Sequence, residues 1–172
     1  MSTTDAIPVG FVADDRDIRA EVATADALRE DCFAGTPADM ALCNPPFNER
    51  DWGYEELATD QRWTHGLPPR TEPELAWVQH LLSHLRPGGT AVVVLPPAVA
   101  SRKAGRRIRG SLLRTGVLRA VVALPPGSAQ PHKRLALVVV GPARHGGRPV
   151  GGSSRAGRPP RGRHRVRQAR SA

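Results

Sequence analysis

The residues in this chain best placed to do chemistry are Asn44, Pro45, Pro46 and Phe47, which end a short apolar run, Asp39 to Cys43. Proline cannot donate to a ladder, and Pro45 pushes Asn44 out of the helical region, so the run reads as a buried strand whose continuation must leave the sheet. Asn44 therefore falls at a strand exit, and open α/β sheets bind ligands beyond the carboxyl ends of their strands. The Asn44 side-chain oxygen and the Pro45 carbonyl are both acceptors, and the Pro45 ring fixes its φ. Two acceptors suit an amino group. A nucleobase amine is a poor nucleophile because its lone pair is delocalised into the ring. Accepting both of its hydrogens favours a more tetrahedral nitrogen, ready to attack an electrophilic methyl group. Phe47 offers a face on which an extruded base can stack. The same tetrapeptide also makes an ordinary turn after a strand, and on its own it does not choose between the two readings.

Further segments lend the motif company. Arg62 to Pro69, Leu75 to His80, Leu85 to Val93 and Val121 to Gly127 follow it in order. Together with Asn44-Pro45-Pro46-Phe47, they resemble the amino-group DNA methyltransferases, and within these the modification subunit of type I restriction systems, the N-6 adenine DNA methylase family. The resemblance covers residues 20 to 140. It implies an adenine-specific transferase that moves a methyl group from S-adenosylmethionine to a flipped adenine in DNA, with Asn44, Pro45, Pro46 and Phe47 as its catalytic motif. It also implies that Asp26, at the end of an earlier strand, lies beside the adenine ring of the cofactor, with Asn44 as a second cofactor contact. Asp26 reads equally as the N-cap of a helix over Ala27 to Glu30. DNA recognition would belong to a separate specificity subunit.

The elements that must position these residues follow from periodicity. Ile18 to Ala23 alternates apolar and polar residues, a strand signal. Glu74 to Leu85 carries Leu75, Val78, Leu82 and Leu85 on one stripe, which predicts a helix stopped by Pro87, Gly88 and Gly89. Thr90 to Leu95 is a β-branched run of the kind buried on both faces. Ser101 to Thr115 predicts a second helix, followed by strands over Val117 to Leu124 and Leu135 to Val140. This alternation predicts an α/β fold: a partial Rossmann-like methyltransferase with a mostly parallel sheet and flanking helices. The expected organisation is a loose N-terminus (1–17), a partial catalytic domain (18–140) and a disordered Arg/Gly/Pro-rich tail (141–172). Between Asn48 and Pro73 runs a long loop with Trp52, Tyr54 and Trp63. These rings either border a target-base pocket or anchor the loop to the core.

Composition narrows the classes. Hydrophobic residues make up 40% and aromatics only 4% of the 172 residues, enough for one modest aliphatic core. Cys32 and Cys43 form neither a disulfide framework nor a metal-ligand spacing, and His65 has no partner at ligand spacing, so no metal is expected. No secretory or membrane-spanning segment is evident, which predicts a cytoplasmic protein without a membrane partner. The charge is divided along the chain. Residues 1–74 hold six basic and all sixteen acidic side chains, net −10, whereas residues 75–172 hold nineteen basic side chains and no acid. Such a basic half suits a nucleic-acid partner. Arg102, Lys103, Arg106 and Arg107 are the candidate phosphate contacts, the alternative being a solvated helix face.

Two departures from the resemblance bear on activity. No glycine-rich turn followed by a helix precedes Asn44, since Gly10 and Gly35 are isolated, and the family's motifs do not continue beyond residue 140. The expected partners are DNA and either a specificity subunit or a complementing N-terminal methylase polypeptide that supplies the cofactor loop. Two other readings stay open: a non-catalytic fragment that binds nucleic acid through its basic half, and a related methyltransferase acting on RNA or on a protein glutamine.

Overall fold

The computed structural model describes residues 21–125 and 136–142. Four strands form one sheet in the order β1-β2-β4-β3, where β1 is Ala38–Cys43, β2 is Leu85–Leu95, β3 is Leu118–Ala123 and β4 is Ala136–Val140. β1 and β2 pair in parallel, while β4 runs antiparallel to both of its neighbours. Three strands thus point one way, and β4 is inserted in reverse between β2 and β3.

Helix α1 (Glu74–Ser83) connects to β2, and helix α2 (Arg106–Arg114) precedes β3. Leu75, Val78 and Leu81 of α1 pack with Ile108 and Leu112 of α2 against Ala91, Val93, Leu95 and Val140 of the sheet. This is the aliphatic core that the composition allows. A second cluster of Leu28, Trp52, Trp63, Ala76 and Trp77 lies on the other side of α1. Burial on two sides explains why every residue from Glu74 to Leu81 is buried, including the polar ones. Trp52 and Trp63 meet edge to face at 6.0 Å, and Trp52 Nε1 donates to the Arg70 carbonyl at 3.1 Å. The anchoring alternative therefore holds for these two rings.

Several boundaries differ from the periodicity, each for a local reason. The strand expected over Ile18 to Ala23 is not formed at residues 21–23, which lack a ladder partner; residues 18–20 lie outside the described residues, as do the expected loose N-terminus and nearly all of the tail. Helix α1 stops at Ser83, ahead of Pro87, because the His84 carbonyl accepts from Ala38 N–H at 2.7 Å and the chain joins the sheet there. Pro87, Gly88 and Gly89 consequently lie inside β2, at an irregularity where the register jumps between Ala38 and Met40. The helix expected over Ser101 to Thr115 is shortened, with a 3-10 turn at Pro97–Ala100 and α2 starting only at Arg106. Its start is set by the fully buried Glu72, whose Oε1 accepts from Gly105 N–H at 2.9 Å.

Gly105 has no room for a side chain: a Cβ there would overlap Glu72 Oε2 and the Leu75 Cδ1 methyl. Gly105→Ala should therefore lower the unfolding free energy by about 2 kcal/mol, the usual size of an overpacking penalty, measured by urea denaturation followed by circular dichroism.

Candidate functional site at the exit of β1

Beyond the carboxyl end of β1 the chain leaves the sheet through Asn44, which is exposed, Pro45, which is buried, and Pro46 and Phe47, which are half-buried. Cys43, the last strand residue, packs against both hydrophobic clusters, and burial pushes its thiol up to about 11. It is an inert anchor that fixes where the exit begins. Among the described residues the Asn44 amide has no hydrogen-bond partner.

The far side of the motif is fixed by charge. Asn48 is the one described non-glycine residue with positive φ, at 58°, a conformation that asparagine tolerates better than most residues. Its N–H donates to Glu74 Oε1 at 3.2 Å, and its Oδ1 accepts from Arg102 Nη2 at 2.8 Å. Arg102 Nη1 reaches Glu74 Oε2 at 3.2 Å, and the Glu74 side chain is wholly buried. One residue past Phe47, the backbone is thus tied to α1 and to the segment before α2. A hollow of about 420 Å³ opens beside this knot, lined by Asn48, Glu49, Arg50 and Arg70.

Asp26 lies near the same region. Burial first, then the neighbouring Asp26 carboxylate, raises the pKa of Glu49, two residues beyond Phe47. The Asp26 Oδ1 accepts from the Leu28 and Arg29 N–H groups at 3.2 and 3.3 Å, and Oδ2 pairs with Arg29 Nη1 at 2.8 Å. The capping geometry is therefore present, though it caps a turn over residues 27–29 and not a helix. Asp51 and Glu56 also contact Arg29, at 2.9 Å each, so the segment around Asp26 is tied to the loop that follows the motif.

The four basic candidates separate into two kinds. Lys103, Arg106 and Arg107 are exposed and border a shallow concavity of about 900 Å³ that also includes Arg114. Arg102 is engaged internally with Glu74 and Asn48, so its guanidinium is not free for phosphate. Arg109, on the same helix, turns inward to Glu72 at 3.4 Å. The His65 ring, half-buried and pushed down in pKa by burial, lies 2.9 Å from Ser111 Oγ, while Gln79 holds the His65 N–H and the Gly66 carbonyl at 2.9 Å each. It stitches the loop to α2. Sequence reasoning did not single out Glu72, Glu74, Asn48 or Gln79. One signal was present: Glu72 and Glu74 are the last acids before the long acid-free half.

The fold resembles that of a Listeria monocytogenes class I S-adenosylmethionine-dependent methyltransferase, with a TM-score of 0.52 at 15% identity over 66% of this chain and 34% of the other. More specifically, residues 12–133 match the N-6 DNA Methylase family, and the chain belongs to that family. The type I restriction enzyme HindI methylase subunit of Haemophilus influenzae is 32% identical over 103 residues, 59% of this chain and 23% of that protein. The MjaIX methylase subunit of Methanocaldococcus jannaschii is 25% identical over 64% of this chain and 21% of its own length. The type I restriction-modification methyltransferase subunit of Streptococcus thermophilus superposes with a TM-score of 0.64 at 27% identity, covering 70% of this chain and 27% of that one. The chain thus spans about a quarter of the relatives' length.

Because removing one member of a buried ion pair strands its partner, Glu74→Ala should cost about 3 kcal/mol of stability or more. Glu55→Ala, which removes an exposed partner of Arg70, should cost about 1 kcal/mol or less. Parallel urea unfolding of the two variants makes the comparison.

Proposed function

We propose that this chain carries the target-amine part of an adenine-specific DNA methyltransferase of the type I restriction-modification kind. The observation that carries the reading is the exposed Asn44 amide at a strand exit, ahead of a stiff Pro45-Pro46 turn and Phe47, within the residues that match the family. Asn44 Oδ1 and the Pro45 carbonyl accept the two hydrogens of the exocyclic amine of a flipped adenine, turning its lone pair outward. Pro46 stiffens the turn, and Phe47 stacks on the base. S-adenosylmethionine, when bound, supplies the electrophilic methyl group. Asn44 and Asp26 are the residues of this chain that would hold it. The Asp26 side chain keeps 26% of its surface exposed, which leaves a carboxylate edge for a polar group of the cofactor. The amine loses its proton to solvent after the new bond to nitrogen is made, so no basic side chain is required.

A glycine-rich cofactor turn that is not among these 172 residues would complete the site, and a specificity subunit reads the DNA sequence. Lys103, Arg106 and Arg107 position the DNA through its phosphates. Their exposure around one concavity also favours a second reading, in which the chain binds nucleic acid without catalysis.

In the chain supplemented with a polypeptide that carries a family member's glycine-rich cofactor turn, Asn44→Ala should reduce N6-methyladenine formation by at least about a hundredfold, as expected when a group orienting the reacting atom is lost. Mass spectrometry of digested DNA reads the product, and filter binding should show salt-sensitive DNA binding unchanged. Equal loss of both would remove Asn44 from its role. Replacing Lys103, Arg106 and Arg107 together by alanine should lower the salt slope of DNA binding by about 3, one unit per phosphate contact. An unchanged slope would move the DNA surface elsewhere.

A further inference from the structure

At the C-terminal end of α1, His80 and His84 sit one helical turn apart, and their rings meet at 4.8 Å between centroids. Asp31, from the loop that precedes β1, completes a group of three whose donor atoms all lie within 4.8 Å of one another. Asp31 Oδ2 is 3.0 Å from His84 Nε2 and 3.9 Å from His80 Nδ1. The donor atoms of a tetrahedral zinc site, with bonds of about 2.0–2.2 Å, stand about 3.3–3.5 Å apart. The two measured separations bracket that spacing.

We propose that Asp31, His80 and His84 form a zinc site that pins the loop ahead of β1 to helix α1, with water as the fourth ligand. Two imidazoles and one carboxylate are a donor set that zinc takes readily. The site is sheltered but reachable, since the side chains of His84 and Asp31 keep 15% and 20% of their surface exposed. Asp31 is already aimed: its Oδ1 accepts from Phe33 N–H at 3.3 Å, which leaves Oδ2 facing the rings.

The remaining polar neighbour is Arg62, whose Nη1 lies 2.9 Å from His80 Nδ1. Arg62 is held independently by Asp60, through Nε and Nη2, and by the Leu28 carbonyl. Because the guanidinium is a rigid plane, Nη1 cannot leave the imidazole without disturbing these contacts, so the arginine competes with a metal for His80 Nδ1. Its charge opposes the metal and makes the site weaker than one without an arginine beside it. The consequence for the fold is local. Residues 21–37 contain no helix or strand, and the Ala38 N–H bonds the carbonyl of His84 itself. A metal at this corner therefore clamps the point where the loop enters the sheet, a staple of the kind small cores use.

The proposal is independent of the methyltransferase reading and is tested on the full chain, free of any affinity tag and stripped with chelator. Zinc chloride is titrated calorimetrically into the wild type, His84→Gln and Asp31→Asn, with circular dichroism to verify that each is folded. The wild type should bind one equivalent and melt at a higher temperature with zinc, and each variant should bind at least about tenfold more weakly and lose the shift. If a variant does not fold, His80→Gln takes its place in the same comparison. Absence of wild-type binding, or binding that the folded variants share, would overturn the proposal and assign any affinity to the other histidines of the chain.

Discussion

The structure depends on two carboxylates buried at the start of α1. Glu72 and Glu74 are both fully buried, and each is matched by an arginine from the acid-free half of the chain: Arg109 for the first and Arg102 for the second. A buried carboxylate without such partners would carry a large desolvation cost. Their placement therefore dictates where the segment between β2 and β3 must lie. Glu72 also accepts from Gly105 N–H, so it starts α2 as well as holding it. Glu74 reaches the other way, to the backbone of Asn48. The same pair of acids thus docks the second helix and fixes the segment just past the strand-exit motif.

This arrangement explains how an exposed tetrapeptide can be held in place. On one side, Cys43 is wedged between the aliphatic core and the tryptophan cluster. On the other, Asn48 is clamped in a left-handed conformation by groups from two separate segments. Between these fixed points Pro45 and Pro46 remove most of the remaining backbone freedom. What the motif presents to solvent is therefore set by the fold. The opposite face of the sheet differs. Met40, Leu42 and Val122 remain 64%, 72% and 49% exposed, and no described element covers them. Sheets with parallel pairing usually have both faces covered, and the chain matches only about a quarter of its relatives' length.

Much of this architecture was legible in the sequence. The stripe on α1 gave its element through its period and the two runs gave strands through their apolar content, although β1 is exposed on one face where the run read as buried. Boundaries set by distant groups were not legible. The start of α2 depends on a carboxylate thirty-three residues earlier, and the end of α1 depends on a backbone bond to β1. The helical pattern of Ser101 to Thr115 contains neither fact. Arg102 shows the same limit within the site. Its position in a basic run suggested a free cation, but pairing is decided by which buried acid lies opposite in space. Likewise, the i, i+4 histidines of α1 were visible in sequence, while Asp31 stood too far along the chain to be associated with them.

The central proposal is that Asn44 and Asp26 form one part of a cofactor site whose glycine-rich part is not among these 172 residues. Calorimetric titration of S-adenosylmethionine into the purified chain, with and without a polypeptide that carries a family member's glycine-rich cofactor turn, tests it most directly. Saturable binding that requires both polypeptides, and that weakens when Asp26 is replaced by alanine, is the result this account predicts. Failure of the pair to bind the cofactor would contradict it, as would equal binding by the chain alone.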